Sequence, residues 1–236
     1  MRSLKGLEGA ISMDVLYYRR DADRGWQYRP EEPGCTPNTV NDFKYAVEFY
    51  EAQGSKERSV PILFDKKEGV IVNNESAEII RMLDQEFEAF ASPDAPTCYP
   101  TALGPQIDDI NAWVYREINN GAYRAGFAST EAAYTAATDV FFGAMGRLDR
   151  LFGERRFLVG DAITEADVRL FPTLFRFDPV YYVRFRLNRK QLAEYRNLSR
   201  WLRDVSTLDA VRAASNIEHC RLGYFGRTGA GIVPVA

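Results

Sequence analysis

At 236 residues, with 46% hydrophobic side chains, the chain is long enough for one large core or two small ones. A formal net charge of -3 without a Lys/Arg-rich run carries no electrostatic footprint for nucleic acid. No apolar stretch approaches the roughly 20 residues of a membrane span, and Lys5, Gly6, Glu8 and Gly9 interrupt the first residues too often for a signal peptide.

Ile11 to Tyr18 (ISMDVLYY) is rich in β-branched and aromatic residues, which predicts a strand. Arg19 to Pro37 is polar, holds Pro30, Pro33, Gly34 and Pro37, and reads as a loop. Val40, Phe43, Val47 and Tyr50 recur at helical spacing and predict a helix over Val40 to Ala52. Val60 to Phe64 and Val70 to Val72 flank a polar turn with Gly69, the pattern of a β-hairpin. A helix follows from Ser76 to Phe87, with Ser76 as its N-cap. Ala91 to Pro105, with four prolines, reads as a linker between an N-terminal unit (1–92) and a C-terminal one (105–236).

Beyond the linker every apolar pattern is helical. Ile107, Ile110, Val114 and Ile118 share a face, as do Ala137, Phe141, Met145 and Leu148, and again Leu198, Trp201, Leu202 and Val205. Thr164 and Asp167 have capping-box spacing, with Ile163 and Val168 placed as a hydrophobic staple. Asp178-Pro179 is expected to break the helix that this box opens. The Gly-rich tail, Gly223 to Ala236, reads as irregular.

Cys35, Cys98 and Cys220 are odd in number and far apart, which argues against a disulfide framework and for a reducing, cytoplasmic setting. His219 is the single histidine, and there is no Cys-x-x-Cys pair, so a zinc site built from these residues is not expected. A P-loop, a Gly-x-Gly-x-x-Gly fingerprint and a Gly-x-Ser-x-Gly elbow are all missing from the sequence.

Three longer words are more specific: Val70 to Leu83 (VIVNNESAEIIRML), Ile118 to Ala128 (INNGAYRAGFA), and Thr164 to Phe171 (TEADVRLF) continuing to Arg176 to Tyr181 (RFDPVY). Together they resemble the xi-class glutathione transferases, or glutathionyl-hydroquinone reductases, from about Leu4 to the C-terminus. The resemblance implies an α/β thioredoxin-like N-terminal domain and an all-α C-terminal domain. It also implies glutathione as co-substrate, quinone-type small molecules as ligands, and a homodimer as one candidate assembly.

In that family a cysteine of a Cys-Pro-Trp-Ala motif attacks the sulfur of a glutathionylated hydroquinone, and a second glutathione resolves the mixed disulfide. No such motif stands in this sequence. Leu4-Lys5-Gly6-Leu7-Glu8 resembles the end of the family's first helix, so the first domain is expected to be incomplete, lacking its first strand and the catalytic cysteine.

The resemblance places the cysteinyl backbone of glutathione at Val60, before a cis Pro61, and its γ-glutamyl group at Glu75 and Ser76. Trp26 would line that site. Tyr123, Tyr181 and Tyr224 resemble the tyrosines of the hydroquinone pocket. Each is expected at the end of an element, with the three hydroxyls converging on one cavity. Where Gly223 stands, the family usually has a second histidine.

Overall fold

The computed structural model describes residues 1–226. The chain starts in tight turns, with the Lys5 amide on the Met1 carbonyl at 3.0 Å, and enters a 3-10 turn, Leu7–Gly9. Leu7 is buried against Ile79 and Leu83. The Lys5 side chain has no exposure, yet its ammonium reaches Glu88 Oε2 at 2.8 Å, Pro96 O at 3.1 Å and Asp84 Oδ1 at 3.3 Å. Buried charge is tolerable when paired and hydrogen-bonded in this way. Asp84 also accepts the amides of Cys98 and Tyr99, which ties the chain start to the proline-rich connection.

Ile11 to Tyr18 is not a strand. Its backbone bonds go to its own loop: Thr36 N to Val15 O at 2.9 Å and Tyr17 N to Gln27 O at 2.8 Å. Composition suits a ladder, but among the described residues no neighbouring strand supplies one. The helix expected over Val40 to Ala52 shortens to α1 (Val47–Glu51). Asn38 Oδ1 accepts the amides of Val40 and Asn41, and Asn41 Oδ1 accepts that of Phe43. Such local side-chain bonds compete with helix formation.

The hairpin forms as expected, β1 (Leu63–Asp65) antiparallel to β2 (Val70–Asn73), with Gly69 at φ +70 in the turn. The Val60-Pro61 peptide is cis. Helix α2 (Ser76–Gln85) follows, but its N-cap is Glu75 rather than Ser76: Glu75 Oε1 accepts the Ala77 amide at 3.1 Å. The linker ends earlier than its prolines suggest. A 3-10 turn spans Thr101–Leu103, and α3 (Gly104–Val114) carries Pro105 in its first turn, where no amide donor is needed.

The helical part continues through a π-helical turn (Tyr115–Asn119), α4 (Asn120–Gly126), α5 (Glu131–Glu154) and α6 (Glu165–Phe175). A second π-helical turn (Phe177–Tyr181), α7 (Tyr182–Arg184), α8 (Arg196–Ser206), α9 (Asp209–Ala213) and α10 (Ile217–Phe225) complete it. One core joins these helices, with Phe141, Met145, Leu148, Leu170 and Leu174 essentially inaccessible. Gly223 and Tyr224, expected in an irregular tail, lie in α10; residues 227–236 of that tail fall outside the described residues.

Helix α6 is the pivot. Thr164 and Asp167 form the capping box, with Asp167 Oδ2 accepting the Thr164 amide at 3.0 Å. Arg81 of α2 forks onto Glu165 at 2.9 and 3.0 Å and also meets Asp108, so three elements share one ion cluster. Asp178-Pro179 does not break the chain's helical course. Pro179 is the middle residue of the second π-helical turn, and the Val180 and Tyr181 amides that follow it both reach the Arg176 carbonyl.

Candidate functional site

The residues expected to meet glutathione lie on linked segments. Tyr50 donates to the Ser59 carbonyl at 3.0 Å, and Asn74 Nδ2 donates to Ser59 Oγ at 2.8 Å, so Val60 is held beside Glu75. Among the described residues the Val60 backbone makes no hydrogen bond, so its amide and carbonyl are free to pair with an extended peptide. Glu75 is exposed; its Oε1 caps α2 and lies 3.4 Å from the Ser76 hydroxyl. Trp26 is half-buried, its carbonyl accepting the Ala46 amide, and Arg58 ties its loop to the Val60 segment by donating to the Asp23 carbonyl at 2.8 Å.

The three tyrosines, up to 101 residues apart in sequence, meet at their hydroxyls. Tyr181 Oη is 3.3 Å from both Tyr123 Oη and Tyr224 Oη, and the Tyr123 and Tyr224 hydroxyls are in short contact. Their placement differs from the expectation of element ends. Tyr123 is inside α4 and Tyr224 inside α10; only Tyr181 closes an element, the second π-helical turn. Tyr181 is buried and the other two are half-buried. Burial pushes the Tyr181 and Tyr224 phenols up, Tyr224 to about 12, so both remain O–H donors at neutral pH.

Several neighbours were not singled out from sequence. Phe185 stacks on Tyr181 at 5.0 Å and 10°. An open hollow of about 580 Å³ is lined by Tyr115, Arg116, Asn120, Tyr123, Arg124 and Phe127, so Tyr123 is reached from the surface. Arg176 lies against Tyr181, Tyr224 and Cys220, and together with Cys220 it lines a cavity of about 200 Å³. It stands inside the RFDPVY word, but nothing in a linear pattern reveals which way a guanidinium turns.

The cysteines are free and apart from one another. Burial pushes the Cys98 thiol up to about 12, and burial also raises half-buried Cys35. A nucleophilic thiol needs the opposite shift. Among the described residues no group of three or more His, Cys, Asp or Glu is placed to hold a metal ion, and no helix is long and apolar enough to cross a membrane.

The glutathione S-transferase C-terminal domain family matches residues 131–204. The chain is similar to glutathionyl-hydroquinone reductase YqjG of Escherichia coli, 41% identical over 95% of this chain and 69% of the relative. It is also similar to glutathionyl-hydroquinone reductase PcpF of Sphingobium chlorophenolicum, 39% identical over 100% of this chain and 76% of the relative. Among solved structures, glutathione-bound YqjG superposes with a TM-score of 0.93 at 38% identity, covering 99% of this chain and 78% of that one. A xi-class transferase from Natrialba magadii gives 0.94 at 39% identity, over 99% of this chain and 73% of that one. The chain belongs to the xi-class glutathione transferases, the family of the glutathionyl-hydroquinone reductases, and its fold pairs their thioredoxin-like N-terminal domain with their all-helical C-terminal one.

Proposed function

We propose that this protein binds glutathione and glutathionylated hydroquinones, and that its family chemistry is their reduction by thiol–disulfide exchange. The observation that carries this reading is the meeting of the Tyr123, Tyr181 and Tyr224 hydroxyls, a polar cluster within an aromatic surround that suits a phenolic ring oxygen. Val60 would pair with the cysteinyl backbone of glutathione. Glu75 and Ser76 at the start of α2 would meet its γ-glutamyl end, and Trp26 would line the site.

In the exchange, a thiolate attacks the glutathionyl sulfur, a disulfide forms, and the hydroquinone leaves with the former C–S electron pair and a proton. We assign that thiolate to none of the three cysteines of this sequence: burial pushes Cys98 and Cys35 up, and Cys220, in α10, stands in no Cys-Pro-Trp-Ala motif. The same thiols favour a second reading, a ligand-binding transferase-like protein without turnover. Three unpaired thiols support a cytoplasmic setting, and a homodimer remains part of the proposal.

Calorimetry with glutathione, then an assay of hydroquinone release from its glutathionyl conjugate, tests both readings. Glutathione is expected to bind, and Ser76→Ala and Glu75→Gln to weaken it. Absence of glutathione binding would overturn the site. Turnover abolished by replacing any one of Cys35, Cys98 or Cys220 with Ser would overturn the assignment of all three as non-nucleophilic.

A further inference from the structure

Among the described residues, Arg176 is a cation set inside the protein with no carboxylate paired to it. Its Nε is buried and has no hydrogen-bond partner among the described residues. The groups against its guanidinium are the phenols of Tyr181 and Tyr224 and the thiol of Cys220. Buried guanidinium groups ordinarily meet a carboxylate, because an unmatched interior charge is costly.

The surrounding charges do not change this. Asp178, two residues on, is turned to the Leu192 amide at 3.0 Å. Arg221 is paired with Glu218 on α10. Arg184 adds positive charge to the same corner, its Nε donating to the Tyr224 carbonyl at 3.2 Å, and Arg19 lies against the end of α10 at Gly226. His219, near the other end of α10, packs edge-on to Tyr18.

The phenols of Tyr181 and Tyr224 against this cation belong, with Tyr123, to a cluster of three hydroxyls within hydrogen-bond distance of one another. A neutral phenol arriving there both donates and accepts, and competes with a cluster that already satisfies itself. An aryl oxyanion only accepts, so all three hydroxyls can turn towards it. It also brings the negative charge that Arg176 lacks.

We infer that Arg176 is a positioning residue for an aryl oxyanion: packed behind the hydroxyl cluster, it makes Tyr123, Tyr181 and Tyr224 hold a hydroquinone as its mono-anion rather than as the neutral phenol. This rests on the tyrosine cluster being the hydroquinone pocket, and it names the ionisation state that the pocket selects. Charge developing on the ring oxygen as the conjugate is cleaved would fall in the same place.

The test uses 4-nitrophenol, whose ionised form absorbs in the visible, with 4-nitroanisole as a probe that cannot ionise. The bound probe's pKa, read by absorbance titration with saturating protein, is expected to fall by about one to three units relative to the free probe. Arg176→Met should abolish that fall and weaken binding of the ionised probe roughly tenfold or more, one unit of pKa being tenfold in affinity. Arg176→Lys should restore part of both, since it keeps the charge and loses the fork; it also carries the test should the Met variant fail to fold. Tyr181→Phe should weaken the ionised probe by a larger factor than it weakens 4-nitroanisole.

An unshifted or raised pKa on the wild-type protein overturns the inference, as does a fall that survives Arg176→Met. A fall lost with Arg176→Met but untouched by Tyr181→Phe places the anion in the adjoining 200 Å³ cavity and also overturns it. If neither probe binds at any pH, the hydroquinone reading of the cluster fails, and the inference with it.

Discussion

Trp201 Nε1 donates to Asp167 Oδ1 at 2.9 Å, so the carboxylate that closes the cap of α6 is also the anchor of α8. Oδ1 accepts the Leu158 amide as well, while Oδ2 takes the amide and hydroxyl of Thr164. Burial pushes this carboxyl up, and the four donors work against that rise.

Asp167→Asn is therefore not a mild change. Its amide nitrogen must face one pair of buried donors, at about 1–3 kcal/mol for each donor left unsatisfied. A urea midpoint that falls at unchanged slope is the expected result.

Thr164→Ala should be gentler, about 1 kcal/mol, the usual cost of losing a cap. The Asp167 carboxylate keeps its other three donors in that variant. Measured in the same denaturant, the Thr164 variant should stay clearly more stable than the Asp167 one; the reverse order would mean the cap outweighs the anchor.

Gly126 closes α4 where Phe185 lies across it. A Cβ there would sit 2.2 Å from Phe185 Cδ1, and that ring is stacked on Tyr181. Gly126→Ala is expected to cost about 1–3 kcal/mol by overpacking and to disturb the tyrosine cluster. Near-ultraviolet circular dichroism should change in the tyrosine region while the far-ultraviolet spectrum does not.

Cys98 should resist iodoacetamide at pH 8 in the folded protein and react once urea unfolds it, because burial and then Asp84 hold its thiol near 12. The linkage has a definite sign. The folded thiol titrates above the unfolded one, so its contribution to stability is complete below the ordinary value of about 8.5 and is lost as pH rises towards 12. Wild-type stability should accordingly fall more steeply than that of Cys98→Ala between pH 8 and 10.

Patterns that depend on a residue's own neighbours could be read without a structure. The apolar faces of α3, α5 and α8, the hairpin around Gly69 and the Thr164/Asp167 box all follow from local spacing. Ile11 to Tyr18 could not be read this way, since a strand exists only if another strand lies beside it. Val40 to Ala52 misled because Asn38 and Asn41 bond their own backbone more readily than they continue a helix. The tyrosine roles came from the family words alone. Phe185 and Arg176 were missed because their significance lies in what they face.

The two π-helical turns bear on how the cluster is addressed along the chain. Each accommodates a wider turn than its α-helical surroundings, Tyr115–Asn119 upstream of Tyr123 and Phe177–Tyr181 ending on Tyr181 itself. Removing one residue from a regular α-helical turn would rotate every following side chain by about 100° about the helix axis, whereas a π-turn can give up a residue and close to an α-turn with the following side chains kept in direction. A deletion in the α-helical turns of α4 ahead of Tyr123 would swing it off the cluster although no residue touching it had been altered. The pocket is thus specified by counting as much as by chemistry: its tyrosines could survive many substitutions in the helices that carry them, yet not a single deletion in the α-helical turns ahead of them.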